Sequence, residues 1–392
     1  MTKWAAAWNK PQVVNSRMPN ASSASPRILS TKRLHENHIQ GGVAWSTLVL
    51  LLSITLLTAC ATTPEQRTPM RFLHEKEIVT WPSLPEVPRY AYVGDLIGEV
   101  NFLPENHRHE RSWLEWLTGL LSTKVERQEL QRPQGGVVDP LGRICVTDVG
   151  RNAVMVFDPL SKQFEVWEWA GQNQHFLAPI GITTGPDETL LVADAELKVV
   201  VRLSRAGKPL GQFGKGLLKR PTGIARDAAR GRIYVADTHG HDIKVFDDSG
   251  ELLDTLGQRG EKLGEFNFPT HIAFANDHLY VTDSRNSRIQ VIDADGVTRS
   301  SFGERGLFVG NLPHPKGVSA DSDGNIYVVE SYYDHLLIYN PQGELLLPIG
   351  GTGQGIGQFY LPAGVWNDNN NRLYIADMFN ARVVVMQYLG GD

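Results

Sequence analysis

The stretch RPTGIARDAARGRIYVADTHGHDIKVFDDSGELLDTLGQRG, residues 220–260, holds a complete structural unit. After Pro221 comes a short run (Gly223, Ile224, Ala225), then a polar turn, then Ile233, Tyr234, Val235 and Ala236 closing on Asp237. A second polar turn precedes Ile243, Lys244, Val245 and Phe246, and an Asp/Gly turn leads to a last run ending at Gly257. Short runs of β-branched and aromatic residues between Gly, Asp and Ser clusters read as strands. The turns are too short for crossovers, so four antiparallel strands are expected. The second run is apolar without alternation, which requires both of its faces to be covered.

This unit recurs with a period of 42 to 48 residues, the range of propeller blades. The opening proline returns as Pro133, Pro179, Pro221, Pro269, Pro315 and Pro362, and the closing acid as Asp148, Asp194, Asp237, Asp283, Glu330 and Asp377. A solenoid of such units would need polar caps at both ends. This chain carries a closure device instead. The sixth copy stops at Tyr388 after three strands, while residues 88–98 read PRYAYVGDLIG, the form of the missing fourth strand. The expected fold is therefore all-β, a six-bladed β-propeller closed by an N-terminal strand that completes the last blade and leaves no open edge.

The patterns P-x-G-[IV], [LI]-Y-V-x-D and N-x-R-[IV], as in Pro221–Ile224, Leu279–Asp283 and Asn286–Ile289, resemble the NHL repeat of six-bladed propellers, over roughly residues 88–388. The resemblance implies the fold. It does not imply one activity, because similar propellers serve as RNA- or protein-binding modules, as lyases and as lactonase-like hydrolases.

The amino terminus reads as a targeting segment. Arg17, Arg27, Lys32 and Arg33 precede the apolar run 43–59, which ends on Leu57-Thr58-Ala59-Cys60. That tetrad resembles the lipobox of bacterial lipoproteins, which implies processing before Cys60 and a diacylglycerol on its sulfur. A plain membrane anchor is the other reading of the run. The expected organisation is a signal segment at 1–59, a tether at 60–87 and the propeller at 88–392. Residues 1–59 carry six Lys/Arg against one Glu, so processing would take the formal charge from −5 to −10. Nucleic acid is not an expected partner of so acidic a domain. The expected partners are the membrane, through Cys60, and a protein of the cell envelope. Ala61 is not the Asp that marks inner-membrane retention, so in a Gram-negative cell the outer membrane is favoured. Cys145 would be the sole remaining thiol, which leaves no internal disulfide.

In a propeller, the start of the first strand, the turn between strands two and three and the blade connectors share one face. That face would present His239, His241, His271, His314, Arg288, Tyr332, Tyr333, Asp334 and Arg382. His271 departs from the repeat, since the other five copies place Gly135, Gly181, Gly223, Gly317 or Gly364 there. An imidazole near the axis is a metal candidate; the alternative is a hydrogen bond to a first-strand carbonyl. The six acids have a structural reading too, as acceptors for turn amides. No haem, P-loop or nucleophile-elbow motif occurs, and no cofactor is predicted. An insertion near 101–132 carries Trp113, Leu114, Trp116, Leu117, Leu120 and Leu121 at helical spacing, an amphipathic helix suited to a lipid interface, a partner or the propeller's own surface. These signals favour a binding or scaffolding module over an enzyme without deciding between them. A metal-assisted lyase or hydrolase around His271, or a small-ligand sensor, are the rival readings.

Overall fold

The computed structural model describes residues 67–104 and 127–390. Cys60, Trp113 and Trp116 lie outside them, and with them the lipobox and the insertion helix. Among the described residues the helical segments are four short 3-10 turns; the rest of the regular structure is β.

Blade 3 is built from Pro221–Asp227, Arg232–Asp237, Asp242–Asp247 and Leu252–Leu256, each antiparallel to the next. Blades 1, 2, 4 and 5 repeat that order from Pro133, Pro179, Pro269 and Pro315. The continuously apolar second strands bury both faces. Ile233 and Val235 pack on Leu191, Ala193 and Val200 of blade 2, whereas Tyr234 and Ala236 pack on Ile272, Leu279 and Val281 of blade 4. Full burial of such a side chain stabilises by roughly 1.5–3 kcal/mol, so the blades are held by apolar contact on both sides.

Blade 6 joins both ends of the described chain. Val365–Asn367, Arg372–Asp377 and Arg382–Tyr388 are its first three strands, and Tyr90–Leu96 is the fourth. The closing strand runs antiparallel to the third, from Tyr90 opposite Tyr388 to Leu96 opposite Val383. The expected closure is thus present. Beyond it the structure adds a fifth strand, Thr80–Trp81, paired with Ala91 and Tyr90. The stretch expected as tether is packed from Met70 onward: Met70 and Phe72 sit against Leu96 and Val383, and Trp81 against the cluster of Tyr90 and Met386. Its sequence gave no strand signal because it contributes two paired residues and scattered apolar contacts rather than a periodic run.

The inner strands line the axis and touch their neighbours through the repeated glycines. A Cβ on Gly223 would lie 2.7 Å from the Thr270 carbonyl oxygen, and one on Gly317 would lie 2.6 Å from the Val365 nitrogen. On Gly181 and Gly364 it would run into the carbonyls of Thr222 and Gln134. Close approach of backbones therefore explains why five copies carry glycine at this position.

Candidate functional site

The six acids organise the loop face. Each accepts from the chain just before its blade's opening proline. Asp148 takes the amides of Gln131 and Arg132, Asp194 those of Leu177 and Ala178, and Asp237 those of Lys219 and Arg220. Asp283, Glu330 and Asp377 take those of Asn267, His314 and Tyr360. In blades 1, 2 and 5 the same carboxylate also receives amides of its own turn, such as Gly150 and Arg151 on Asp148. The acids are structural acceptors, and they bring connector, strand start and turn to one face.

Several residues expected to recognise a ligand there are committed to the scaffold. Arg288 donates to Asp283 at 2.9 Å and to the carbonyls of Lys262 and Glu265, and Asn286 donates to Gly260 and Asp283. Arg382 and Asn380 repeat this on Asp377, Gly355, Gln358 and Gly353. The N-x-R signature is thus a staple between a blade's turn and the connector that precedes it. Asp334 is buried and accepts from the Thr352 hydroxyl and the Leu361 amide.

His241 Nδ1 accepts from the Phe268 amide at 3.2 Å, and burial holds its pKa below the usual imidazole range. His239 stands exposed beside the same ring, 6.0 Å between centroids. His314 is exposed and its Nδ1 lies 3.1 Å from the Ser331 hydroxyl. The expected hydrogen bond of His271 to a first-strand carbonyl is absent: neither ring nitrogen has a protein partner, although both are sealed from solvent. Burial, with a smaller contribution from the charge of Lys316, pushes its pKa down to about 3, so the ring is neutral. Among the described residues no three His, Cys, Asp or Glu side chains come together as a metal-binding set.

Two aromatic pairs stand out on this face. Tyr332 is 65% exposed and packs on Tyr333 at 4.8 Å; Phe379 is 51% exposed and packs on Tyr360, itself 45% exposed, at 5.5 Å. The two pairs come from the turns of blades 5 and 6 and the connector between them, joined by Asp334 and by the Phe379 amide on the Tyr360 carbonyl. Tyr360, Phe268 and Lys316 were not singled out in the sequence. Each had a signal: Phe268 lies one residue and Tyr360 two residues before a blade-opening proline, and Lys316 is the charged residue where other copies have Gln134, Ile180, Thr222, Thr270 or Ala363.

The sequence model of the NHL repeat family matches residues 218–246 and 266–292, within blades 3 and 4. NHL-repeat-containing protein 4 of Homo sapiens is 34% identical over 84 residues, 21% of this chain and 65% of that protein's length. Among solved structures, an auxiliary nutrient binding protein from Bacteroides ovatus is similar at TM-score 0.52 and 15% identity, covering 66% of this chain and 69% of that one. A gluconolactonase from Xanthomonas campestris is similar at TM-score 0.50 and 15% identity, covering 66% and 86%. At that identity the likeness is one of fold. Residues 218–246 and 266–292 are NHL repeats, and the chain that contains them is a six-bladed β-propeller.

Proposed function

We propose that this propeller is a protein-binding module of the cell envelope, tethered through an acylated Cys60, with its docking site on the arc formed by Tyr332, Tyr333, Tyr360 and Phe379. The observation that carries the reading is the arc itself. Aromatic side chains are enriched in the energetically dominant centre of protein interfaces, where they bury large area at small entropic cost. Here Tyr332, Tyr360 and Phe379 stand exposed and Tyr333 half-buried, on turns and a connector that Asp334, Glu330 and Asp377 pin by hydrogen bonds, so the surface is preorganised. The Cys60 tether and the envelope location rest on the lipobox resemblance of residues 57–60.

Site-specific photo-crosslinking in the producing cell tests the site. A crosslinker at Tyr332 or Phe379 should capture one discrete partner, lost when the other aromatic is changed to Ser. A crosslinker at Leu253, exposed on the outer strand of blade 3, should not. Equal capture from all three positions would overturn the assignment of the face.

A further inference from the structure

The inner strands of blades 4 and 5 differ from the other four in carrying a basic side chain within two residues of the opening proline, His271 and Lys316. His271 replaces the glycine of the repeat, on a strand that packs against Pro315–Ala320 of blade 5. Both ring nitrogens are buried and unpartnered by protein. A buried donor left unsatisfied carries the full cost of its lost hydration, so a ring held this way is stable when something polar meets it. Its close charged neighbour is the ammonium of Lys316, which burial alone pulls below the usual lysine range.

The hydroxyls around this pair are already engaged. Thr270 and Ser284 share a 2.7 Å hydrogen bond, Thr282 donates to the Lys316 carbonyl at 2.6 Å and Ser284 to the Pro315 carbonyl at 3.0 Å. The nearby carboxylates are engaged as well: Asp283 by Asn286, Arg288 and Gln290, Glu330 by the amides of His314, Tyr332 and Tyr333. Among the described residues Lys316 takes part in no ion pair.

We propose that the inner strands of blades 4 and 5 form a receptor for one carboxylate group, with Lys316 supplying the charge and His271 a ring N–H. One ammonium beside a neutral imidazole balances a monoanion, whereas a phosphate dianion would leave an uncompensated charge in a desolvated site. Lys316 directly follows Pro315, and His314 before that proline is exposed on the loop face. The carboxylate has two sources with the same chemistry, a free small acid or the end of a docked chain.

The test needs no partner, so it stands apart from the crosslinking above. Full-length protein in detergent at pH 7 is melted in rising sodium acetate and in sodium chloride of equal ionic strength. Acetate should raise Tm with saturation, and chloride should not. Lys316→Met should weaken half-saturation by about tenfold or more, the scale of one charge-assisted hydrogen bond. The long-range ring ¹H–¹⁵N resonances of His271 should shift with the same midpoint, which reports binding even where a variant folds poorly. A short peptide with a free C-terminal carboxylate that competes with acetate, while its amide does not, identifies a docked chain as the source. Acetate binding without such competition identifies a free acid. A Tm that follows ionic strength alone, or unchanged acetate affinity in Lys316→Met, would overturn the proposal.

Discussion

Blades 4 and 6 carry the same staple, Asp-x-x-Asn-x-Arg, on two different connectivities. In blade 4 the fully buried Asp283 is met by Asn286, Arg288 and Gln290, all from the same hairpin, and the Gln290 amide also reaches the Glu265 carbonyl. Blade 6 has Val384 where blade 4 has Gln290. There the corner is completed from the other end of the chain: Arg382 binds Asp377 at 2.9 Å and Asp95, 287 residues earlier, at 3.1 Å. Asp95 is itself buried on the closing strand, and Asn101 donates to its backbone carbonyl. A repeat motif has thus been adapted from a local staple into a clasp. The neutral amide of the contiguous blade is replaced by a carboxylate that ties the amino-terminal strand to the carboxy-terminal one.

The same substitution in both blades should have unequal effects. Arg382→Met leaves two buried carboxylates facing each other and should destabilise by about 3–5 kcal/mol, the cost of breaking a buried ion pair. Arg288→Met leaves Asp283 with Asn286 and Gln290 and should cost about 1–3 kcal/mol, the range for removing one partner of a buried hydrogen-bonded group. Urea unfolding of the two variants compares them; equal losses would mean that Asp95 is no part of the seam.

This pair also separates what the sequence reveals from what it hides. The six prolines and six acids are periodic because every blade makes the same bend, and the missing fourth strand is visible because its pattern matches the other five. The partner of Arg382 was not legible, since the other fourth strands carry Val166, Gln212, Thr255, Ser301 or Pro348 where the closing strand has Asp95, and its meaning depends on a contact between the two ends of the ring. For the same reason Arg288 and Arg382 read as candidates for ligand recognition. A charged residue on a turn looks available until the carbonyls of the connector, 23 to 26 residues away, are seen to consume its donors. His271 was legible as an exception to the glycine ring, whereas its lack of a partner was not, because hydrogen bonds at an axis depend on how the neighbouring blades approach.

Acid acts on blade 4 through His271. The folded pKa of His271 lies near 3 against an ordinary value of 6.5, so between those limits the unfolded chain binds a proton that the folded one refuses. Stability contributed by the neutral ring is present above about pH 6.5 and is lost as pH falls, at about 1.4 kcal/mol per unit. His271→Asn should flatten this acid slope of Tm. An undiminished slope in His271→Asn would move the acid sensitivity elsewhere.

Ring closure makes Tyr90–Leu96 part of the propeller's cooperative core rather than an appendage. Native-state hydrogen exchange of the full chain measures this directly. Backbone amides of Tyr90–Leu96 and Arg382–Tyr388 should exchange only through global unfolding, with the same opening free energy and urea dependence as those of Arg232–Asp237 in blade 3. Exchange of Tyr90–Leu96 through a separate, lower-energy opening that leaves blade 3 protected would contradict closure by this strand.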